Sequence, residues 1–497
     1  MRADACVLLL VLSSCATAPI PEPQVITRPQ PGLESAPTKP PLATFPLPAA
    51  LAVDPTTLKA APLELTIRRP ERFDLGNGVT VYLVEDHTTP LVLVRALLPA
   101  GMAEDPPEKL GLASVTMTLL TEGGAGPLSA EALDELLEHH AADLSSAASD
   151  EYSMVSLSVR SQDLTRLLPV FTDVLQRPRL DAKRFEVIRG RVLETVRRRE
   201  DRPDSVAARA LNKAFFGPQS PLAREPLEEH VKSLTLADVQ RFHATYFTPA
   251  GTRLVITGDF DPSVVKTLLG LHLKPWKGGP LPARLWGQGK AQTRRIILVP
   301  RDVAQVKIRL AGPGFARKSP DEYALRLVTT ALGSFGVGRL YREIRDERGL
   351  AYSAFAQISP GPTTGLFVAG FDTRPERAVE ALEVGLRILE GVGGPEPLQR
   401  EELVTATDMS LNAFAFRFDT AARIGFERAL FDHFGYPDDY LDRYRERTAA
   451  VSLEAANQHA RLLGKNLQIV VVGPRSLEAQ LSRLGPVTLI SDVDHFR

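Results

Sequence analysis

From Phe73 onward the chain alternates short apolar runs with stretches of helical spacing. Phe73–Leu83 (FDLGNGVTVYL) carries a hairpin-like turn at Gly76-Asn77-Gly78, and Leu91–Leu98 (LVLVRALL) reads as a strand leading to Ala100-Gly101. The second half begins the same way: Arg295–Pro300 (RIILVP) and Val306–Leu310 (VKIRL) lead to Ala311-Gly312-Pro313. Each half then enters helical patterns and returns to a late strand followed by glycine, Thr252–Gly258 (TRLVITG) and Leu467–Gly473 (LQIVVVG). A repeat of about 220 residues is too long for a solenoid and predicts two similar domains. The break falls within Leu271–Gln292, where WKGGPLPARLWGQGK interrupts every periodicity.

Helix signals are clear. Ser319-Pro320-Asp321-Glu322 offers an N-cap, an N1 proline and a capping-box acid; Ala324, Leu325, Val328, Ala331 and Leu332 follow at helical spacing, and Gly333 ends the run. Ser129–Ala141 and Leu236–Tyr246 follow the same pattern. Strands and helices mix without strict βαβ alternation, which predicts an α+β fold. The sharpest stretch is Gly333–Tyr352 (GSFGVGRLYREIRDERGLAY). Its glycine turn opens a short charged helix in which Leu340 and Ile344 face a core, and Arg339–Glu343 and Arg342–Asp346 form i,i+4 pairs. Gly349 closes the helix and Tyr352 starts a strand. No Lys-Ser/Thr follows the glycines and no apolar strand precedes them, which argues against a phosphate loop.

Composition adds bounds. The 497 residues suggest two to four domains, and a hydrophobic fraction of 44% supports a large core. A net charge of -1 gives no sign of a nucleic-acid partner, and the arginines of Arg189–Arg199 are offset by nearby acids as on a solvated helix face. At the N-terminus, the apolar run Val7–Leu12 is too short to span a bilayer and leads to Leu12-Ser13-Ser14-Cys15. This resembles a lipobox: residues 1–15 would be a lipoprotein signal, with Cys15 as the lipid-bearing terminus. The mature chain would then have no free thiol and no disulfide, so its fold would rest on packing alone. Residues 16–65, rich in Pro, Ala and Thr, read as a tether.

Several matches in order resemble the insulinase/pitrilysin family of zinc metallopeptidases, which includes mitochondrial processing peptidase and bacterial two-subunit relatives. They span about residues 70 to 480. They are Leu75-Gly76-Asn77-Gly78-Val79, Leu110-Gly111-Leu112-Ala113, Ser233-Leu234-Thr235, Tyr246-Phe247-Thr248-Pro249 with Val255–Asp261, Gly338-Arg339-Leu340, and Arg348-Gly349-Leu350-Ala351-Tyr352-Ser353. The resemblance implies two α+β domains, each a mainly antiparallel sheet flanked by helices, packed to enclose a chamber. Their expected bounds are 66–275 and 293–497, joined by 276–292.

The family's zinc site is H-x-x-E-H on a helix after Gly-Leu-Ala, plus a distant Glu; histidines four apart grip one zinc and the Glu serves as base. This chain reads Ser114-Val115-Thr116-Met117-Thr118 there. Ser114 and Thr118 replace the histidines, and Met117 replaces the base. Glu194, at the family's spacing, is the retained distal carboxylate, and its other reading is a helix residue paired with an arginine. The other His/Glu cluster, Glu138-His139-His140, lacks i,i+4 geometry and is expected at an exposed helix C-terminus. The family's second element is an Arg and a Tyr seven residues apart that hold substrate and polarise the scissile carbonyl; Arg345 and Tyr352 have that spacing.

The resulting expectation is a subunit that binds no cofactor itself. Zinc would come from a homologous partner carrying H-x-x-E-H. The substrate is a peptide, and the lipid on Cys15 holds the chain in a Gram-negative-type envelope, at the outer membrane facing the periplasm. The alternative is a catalytically dead scaffold or peptide-binding lipoprotein of the same fold. A third reading, an autonomous peptidase using His139 and His140, requires zinc in the purified chain.

Overall fold

The first sheet is built from β1 (Glu71–Asp74), β2 (Thr80–Glu85), β3 (Leu91–Leu98), β4 (Asp143–Ala148), β5 (Ser153–Arg160) and β6 (Arg253–Gly258). Its order is β1-β2-β6-β3-β5-β4, antiparallel except for β2 with β6. The second contains β7 (Arg295–Pro300), β8 (Val306–Pro313), β9 (Ala351–Ser359), β10 (Leu366–Thr373), β11 (Gln468–Gly473) and β12 (Val487–Leu489) in the order β12-β7-β11-β8-β10-β9. Here β7 runs parallel to β11 and β12, and the other pairs are antiparallel. The two orders match over five strands, β2-β6-β3-β5-β4 and β7-β11-β8-β10-β9, and each late apolar strand inserts between two early ones; the sixth strand differs, β1 opening its half antiparallel to β2 and β12 closing its half parallel to β7. The molecule is an α+β fold of two similar halves. The structure, a computed structural model, describes residues 67–284, Trp286, 293–494 and Phe496. Cys15, the signal-like stretch and residues 16–65 lie outside the described residues.

The first half carries α1 (Leu112–Glu122), α2 (Ala130–His139), α3 (Leu164–Gln176), α4 (Ala182–Arg198), α5 (Pro203–Phe216), α6 (Glu228–Ser233), α7 (Leu236–Tyr246) and α8 (Pro262–His272). Residues of α1, α3, α4, α7 and α8 pack with Val81, Leu83, Val92, Val94 and Ile256 into one core. The second half carries α9 (Glu322–Gly333), α10 (Ala378–Gly391), α11 (Arg400–Ala415), α12 (Ala421–His433), α13 (Tyr440–Ala449), α14 (Leu453–Leu463) and α15 (Glu478–Leu481). There α9, α10, α11 and α14 pack with Leu298, Ile308, Leu310, Ile469 and Val471.

The opposite face of each sheet is covered by the other half. From the first half, α5 lays Val206, Ala207, Ala210, Leu211 and Ala214 on Ile297, Val299, Ala311, Val470 and Val472 of the second sheet. From the second half, α12 returns to the first sheet, where Ala429 packs with Tyr82, Leu97 and Val255 and Ile424 with Val84. Gly425 lets it lie directly on the strands: a Cβ there would be 2.7 Å from Val255 Cγ1 and 2.9 Å from Thr257 Cγ2. Coverage on both faces is why β2, β6, β7 and β11 are buried without alternation. Charges pin both exchanged helices. Arg209 of α5 pairs with Glu200, Glu225 and Asp494, and Asp204 with Lys307 and Arg309. At the end of α12, Asp432 accepts from Tyr82 Oη at 2.5 Å and Arg253 Nε at 2.9 Å.

One helix start differs from expectation. Asp321, not Ser319, is the residue before α9, and Ser319 Oγ instead accepts from the N–H of Asp321 at 3.3 Å. Glu322 is no capping acid. It is 1% exposed and accepts from Arg326 Nε at 2.9 Å and Tyr440 Oη at 2.7 Å, because α13 brings a phenol to it.

The seam between the halves contains His433. Its ring packs edge-on to Tyr152 and Phe434, and its pKa is pushed down to about 3 by burial and by Arg253, Arg284 and Arg317, against a smaller opposing effect of Asp432. In the unfolded chain this imidazole titrates near its ordinary value of about 6.5. Between those pH values the unfolded state binds a proton that the folded state refuses, so stability rises with pH. Acidification from about pH 6.5 toward about pH 3 should cost on the order of 1 kcal/mol per pH unit. His433→Gln should flatten that slope in urea unfolding curves measured across this window.

Candidate functional site

Gly333 ends α9 against β9. A Cβ at that position would lie 2.1 Å from the backbone N of Ala356, so only glycine permits this approach. Gly336 turns the chain with φ +81, and a π-helical turn, Tyr341–Glu347, follows. Such turns are rare and recur at functional sites. Leu340 and Ile344 are fully buried. Gly349, at φ +59, then redirects the chain into β9.

This path brings Arg345 and Tyr352 together. The guanidinium carbon of Arg345 lies 5.5 Å from the Tyr352 ring centre and 4.7 Å from that of Tyr341. Tyr341 is buried and meets Phe335 of the glycine turn edge-on at 4.8 Å. Tyr352 is 82% exposed and Phe335 79%. Arg345 forms a long ion pair with Asp346, at 3.8 Å. A buried ring below and an exposed phenol beside therefore fix a guanidinium whose donors stay accessible. Tyr341 and Phe335 were not singled out from sequence. The i+4 spacing of Tyr341 and Arg345 was the available signal.

The expected i,i+4 pairs do not form. Arg339 is buried and binds both oxygens of Glu402 at 2.6 Å, with further bonds to the Glu396 and Pro397 carbonyls. Glu343 pairs with Arg387, and the carboxylate facing Arg342 is Glu347 at 3.5 Å. A buried guanidinium needs several acceptors, and α11 with its preceding loop supplies more than one neighbouring carboxylate could.

In the first half, α1 holds the three altered positions. Thr118 Oγ1 donates to the Ser114 carbonyl at 3.0 Å, so this hydroxyl serves the helix backbone. Met117 is 1% exposed within the core, and its carbonyl accepts from Ser146 Oγ of β4 at 2.7 Å. Glu194 accepts from Arg198 Nε at 2.6 Å. Two hydroxyls, a buried thioether and a carboxylate engaged elsewhere do not fit a zinc ion. Among the described residues no three His, Cys, Asp or Glu side chains converge as a metal site. Asp105, which sequence spacing did not flag, accepts from the N–H groups of Gly111 and Ala113 at 2.7 Å and so holds the start of α1. Burial pushes its pKa up to about 7 against those two bonds.

His140 corrects one expectation. His139 and Glu138 are exposed, but His140 is 6% exposed. Its Nδ1 lies 2.9 Å from Asp163 Oδ1, and Asp163 also accepts from Arg160 Nε at 2.8 Å. The helix ends one residue earlier, so His140 turns inward and needs a buried polar partner. The two rings meet edge-on at 4.9 Å rather than converging on one point.

Comparisons agree with this geometry. The model of the insulinase peptidase family M16 matches residues 80–225, and that of the M16 inactive domain matches residues 233–406. The chain belongs to the insulinase family and lacks its zinc motif. An uncharacterized zinc protease of Streptomyces coelicolor is 27% identical over 355 residues, 69% of this chain and 76% of that protein. A Helicobacter pylori protein named as a non-peptidase homolog is 23% identical over 283 residues, 56% of this chain and 64% of that protein. Among solved structures, an M16 inactive domain from Pseudomonas fluorescens shares the fold, with a TM-score of 0.74 and 23% identity, covering 82% of this chain and 98% of that one.

The donor set makes a direct prediction. The purified chain, dialysed against zinc and then buffer, should retain substoichiometric zinc by elemental analysis; one equivalent that is lost in His139→Ala and His140→Ala would contradict it.

Proposed function

We propose that this chain is the non-zinc-binding subunit of a two-subunit insulinase-family peptidase. The observation that carries this is the accessible Arg345–Tyr352 pair in a chain whose α1 presents no zinc ligands. The guanidinium and the phenol are donors suited to a peptide carbonyl and to the oxyanion that develops from it. Tyr341 holds the guanidinium in place, so little reorganisation is needed when the carbonyl arrives. A homologous partner supplies zinc and base. The match to an M16 inactive domain and the likeness to a non-peptidase homolog support this division of labour. Cys15 would anchor the subunit through lipid at the outer membrane, facing the periplasm. No helix among the described residues is long and apolar enough to cross a membrane.

The second reading is a scaffold or peptide-binding lipoprotein without turnover, favoured by how completely the altered α1 residues are absorbed into structure. Co-expression with a neighbouring H-x-x-E-H homologue separates the two. The peptidase reading expects no cleavage by this chain alone and cleavage by the pair. In the complex, Arg345→Ala or Tyr352→Phe should lower kcat by about 10²-fold, the size of losing one oxyanion donor. An unchanged kcat would remove the catalytic role. Tyr341→Leu should lower kcat through a displaced Arg345, and Tyr341→Phe should restore it.

A further inference from the structure

Where the residues leading into β1 meet α12 and α13 there is a cavity of about 120 Å³. Ile67, Pro70 and Tyr82 line it from the first half, and Phe418, Ile424 and Leu441 from the second. The Tyr82 hydroxyl is engaged by Asp432, which leaves the ring as an apolar surface.

Four guanidiniums surround this space, those of Arg68, Arg69, Arg72 and Arg428, against two carboxylates, Asp438 and Asp442. Arg69 holds Asp442 at 2.5 Å. Asp438 is held loosely, 3.5 Å from Arg428 and 3.9 Å from Arg72, and its side chain is 74% exposed. Arg72 also meets Asp432, but at 3.3 Å, while Tyr82 and Arg253 bind that carboxylate more closely. The Arg428 side chain is 20% exposed, and among the described residues Asp438 is the carboxylate it meets. A guanidinium carries five N–H donors, so Arg428 has donors to spare on the cavity side.

Apolar walls with a few convergent polar groups are the usual make-up of a site for a small organic ligand. An apolar cavity of about 150 Å³ takes one benzene, so this one holds a single ring or a branched chain of about six carbons. We propose that the cavity binds a small apolar carboxylate, with its hydrocarbon part on Ile424 and Leu441 and its charge received by Arg428 and Arg72. The planar fork of a guanidinium matches a carboxylate's two oxygens. A free acid of that size offers this chemistry, and so does the C-terminal leucine or phenylalanine of a peptide. A phosphate ester fits less well, because Asp438 and Asp442 repel a second negative charge. With walls from both halves, the bound carboxylate becomes a further tie between the first sheet and the exchanged helix α12. The inference depends neither on a zinc partner nor on Arg345 and Tyr352.

3-Phenylpropanoate and its uncharged amide are the probes, titrated into the full chain by calorimetry with thermal unfolding followed in parallel. The acid is expected to bind one to one and to raise Tm. The amide should bind at least about tenfold more weakly, the size of one hydrogen bond to a charged group. Arg428→Gln should weaken the acid about tenfold and leave the amide unchanged. Ile67→Trp, at a half-buried position on the wall, should fill the space and weaken both. Arg428→Gln keeps the test informative if the tryptophan variant is unstable. Absence of saturable binding would overturn the proposal, as would equal affinity for acid and amide, or unaltered acid binding by both variants. Acetyl-Gly-Gly-Leu and 4-methylpentanoate separate the two sources. A tighter peptide assigns the site to chain ends and a tighter free acid to small carboxylates, and either order upholds the cavity's chemistry. Turnover by the two-subunit complex is untouched by these outcomes, so the peptidase reading stands or falls separately.

Discussion

The constraint on which this structure depends is that both sheets are apolar on both faces. Each half builds helices for one face only. The other face is closed by α5 in one direction and α12 in the other, so neither half can bury its central strands without the other. Tyr82, Val84 and Val255 show the result: they belong to the first sheet, yet Ile424, Phe426, Ala429 and Leu430 from beyond residue 320 join their apolar clusters. The ion pairs of Arg209, Asp204 and Asp432 lie at the ends or along the faces of the exchanged helices, where a shift of register would leave buried charge unpaired. The same apolar cluster runs from Val84 through Tyr323 and Phe414 to Tyr444. The elements that carry the candidate site are thus fixed by residues from both halves.

On that frame the site is a matter of close approach. Gly333 brings α9 against β9, and the π-helical turn then places Arg345 beside the first exposed ring of the strand. The π-helical winding sets Arg345 between Tyr341 and Tyr352, with the Asp346 carboxylate no nearer than 3.8 Å. In the first half the equivalent helix has gone the other way. The hydroxyls of Thr118 and Thr121 bond to its own backbone, its methionine joins the core, and Glu194, which could have completed a metal site, pairs with Arg198. The second half leaves Arg345 and Tyr352 accessible, and the first half has absorbed its altered zinc-motif positions into structure.

Much of this was legible in the chain. The duplicated pattern of turn, strand and late strand marked two similar halves because strand periodicity and glycine turns are local signals. The loss of the zinc ligands was legible because a motif of fixed spacing is read residue by residue. Arg345 and Tyr352 could be singled out only because their spacing matches that of the family the chain resembles, and only the π-helical turn and Gly349 determine that they meet. What could not be read was tertiary. Arg339 and Glu343 sit at a favourable i,i+4 spacing, and each was taken by a partner far along the chain. His140 looked like an ordinary helix end until the position of Asp163 was known. The unbroken apolar runs of β2, β6, β7 and β11 announced cover on both faces, but no local pattern says which half provides it.

The exchange of helices also bears on how the protein is made. When the first half has left the ribosome, α5 has nothing to cover, and one face of the first sheet has no cover until α12 has been synthesised. For that interval the nascent chain presents a broad apolar surface, the condition under which large proteins aggregate or require chaperones. Truncation between the halves would make that interval permanent. Evolution of this fold is accordingly free to discard the metal chemistry of one half, as α1 shows, but not to discard the half itself.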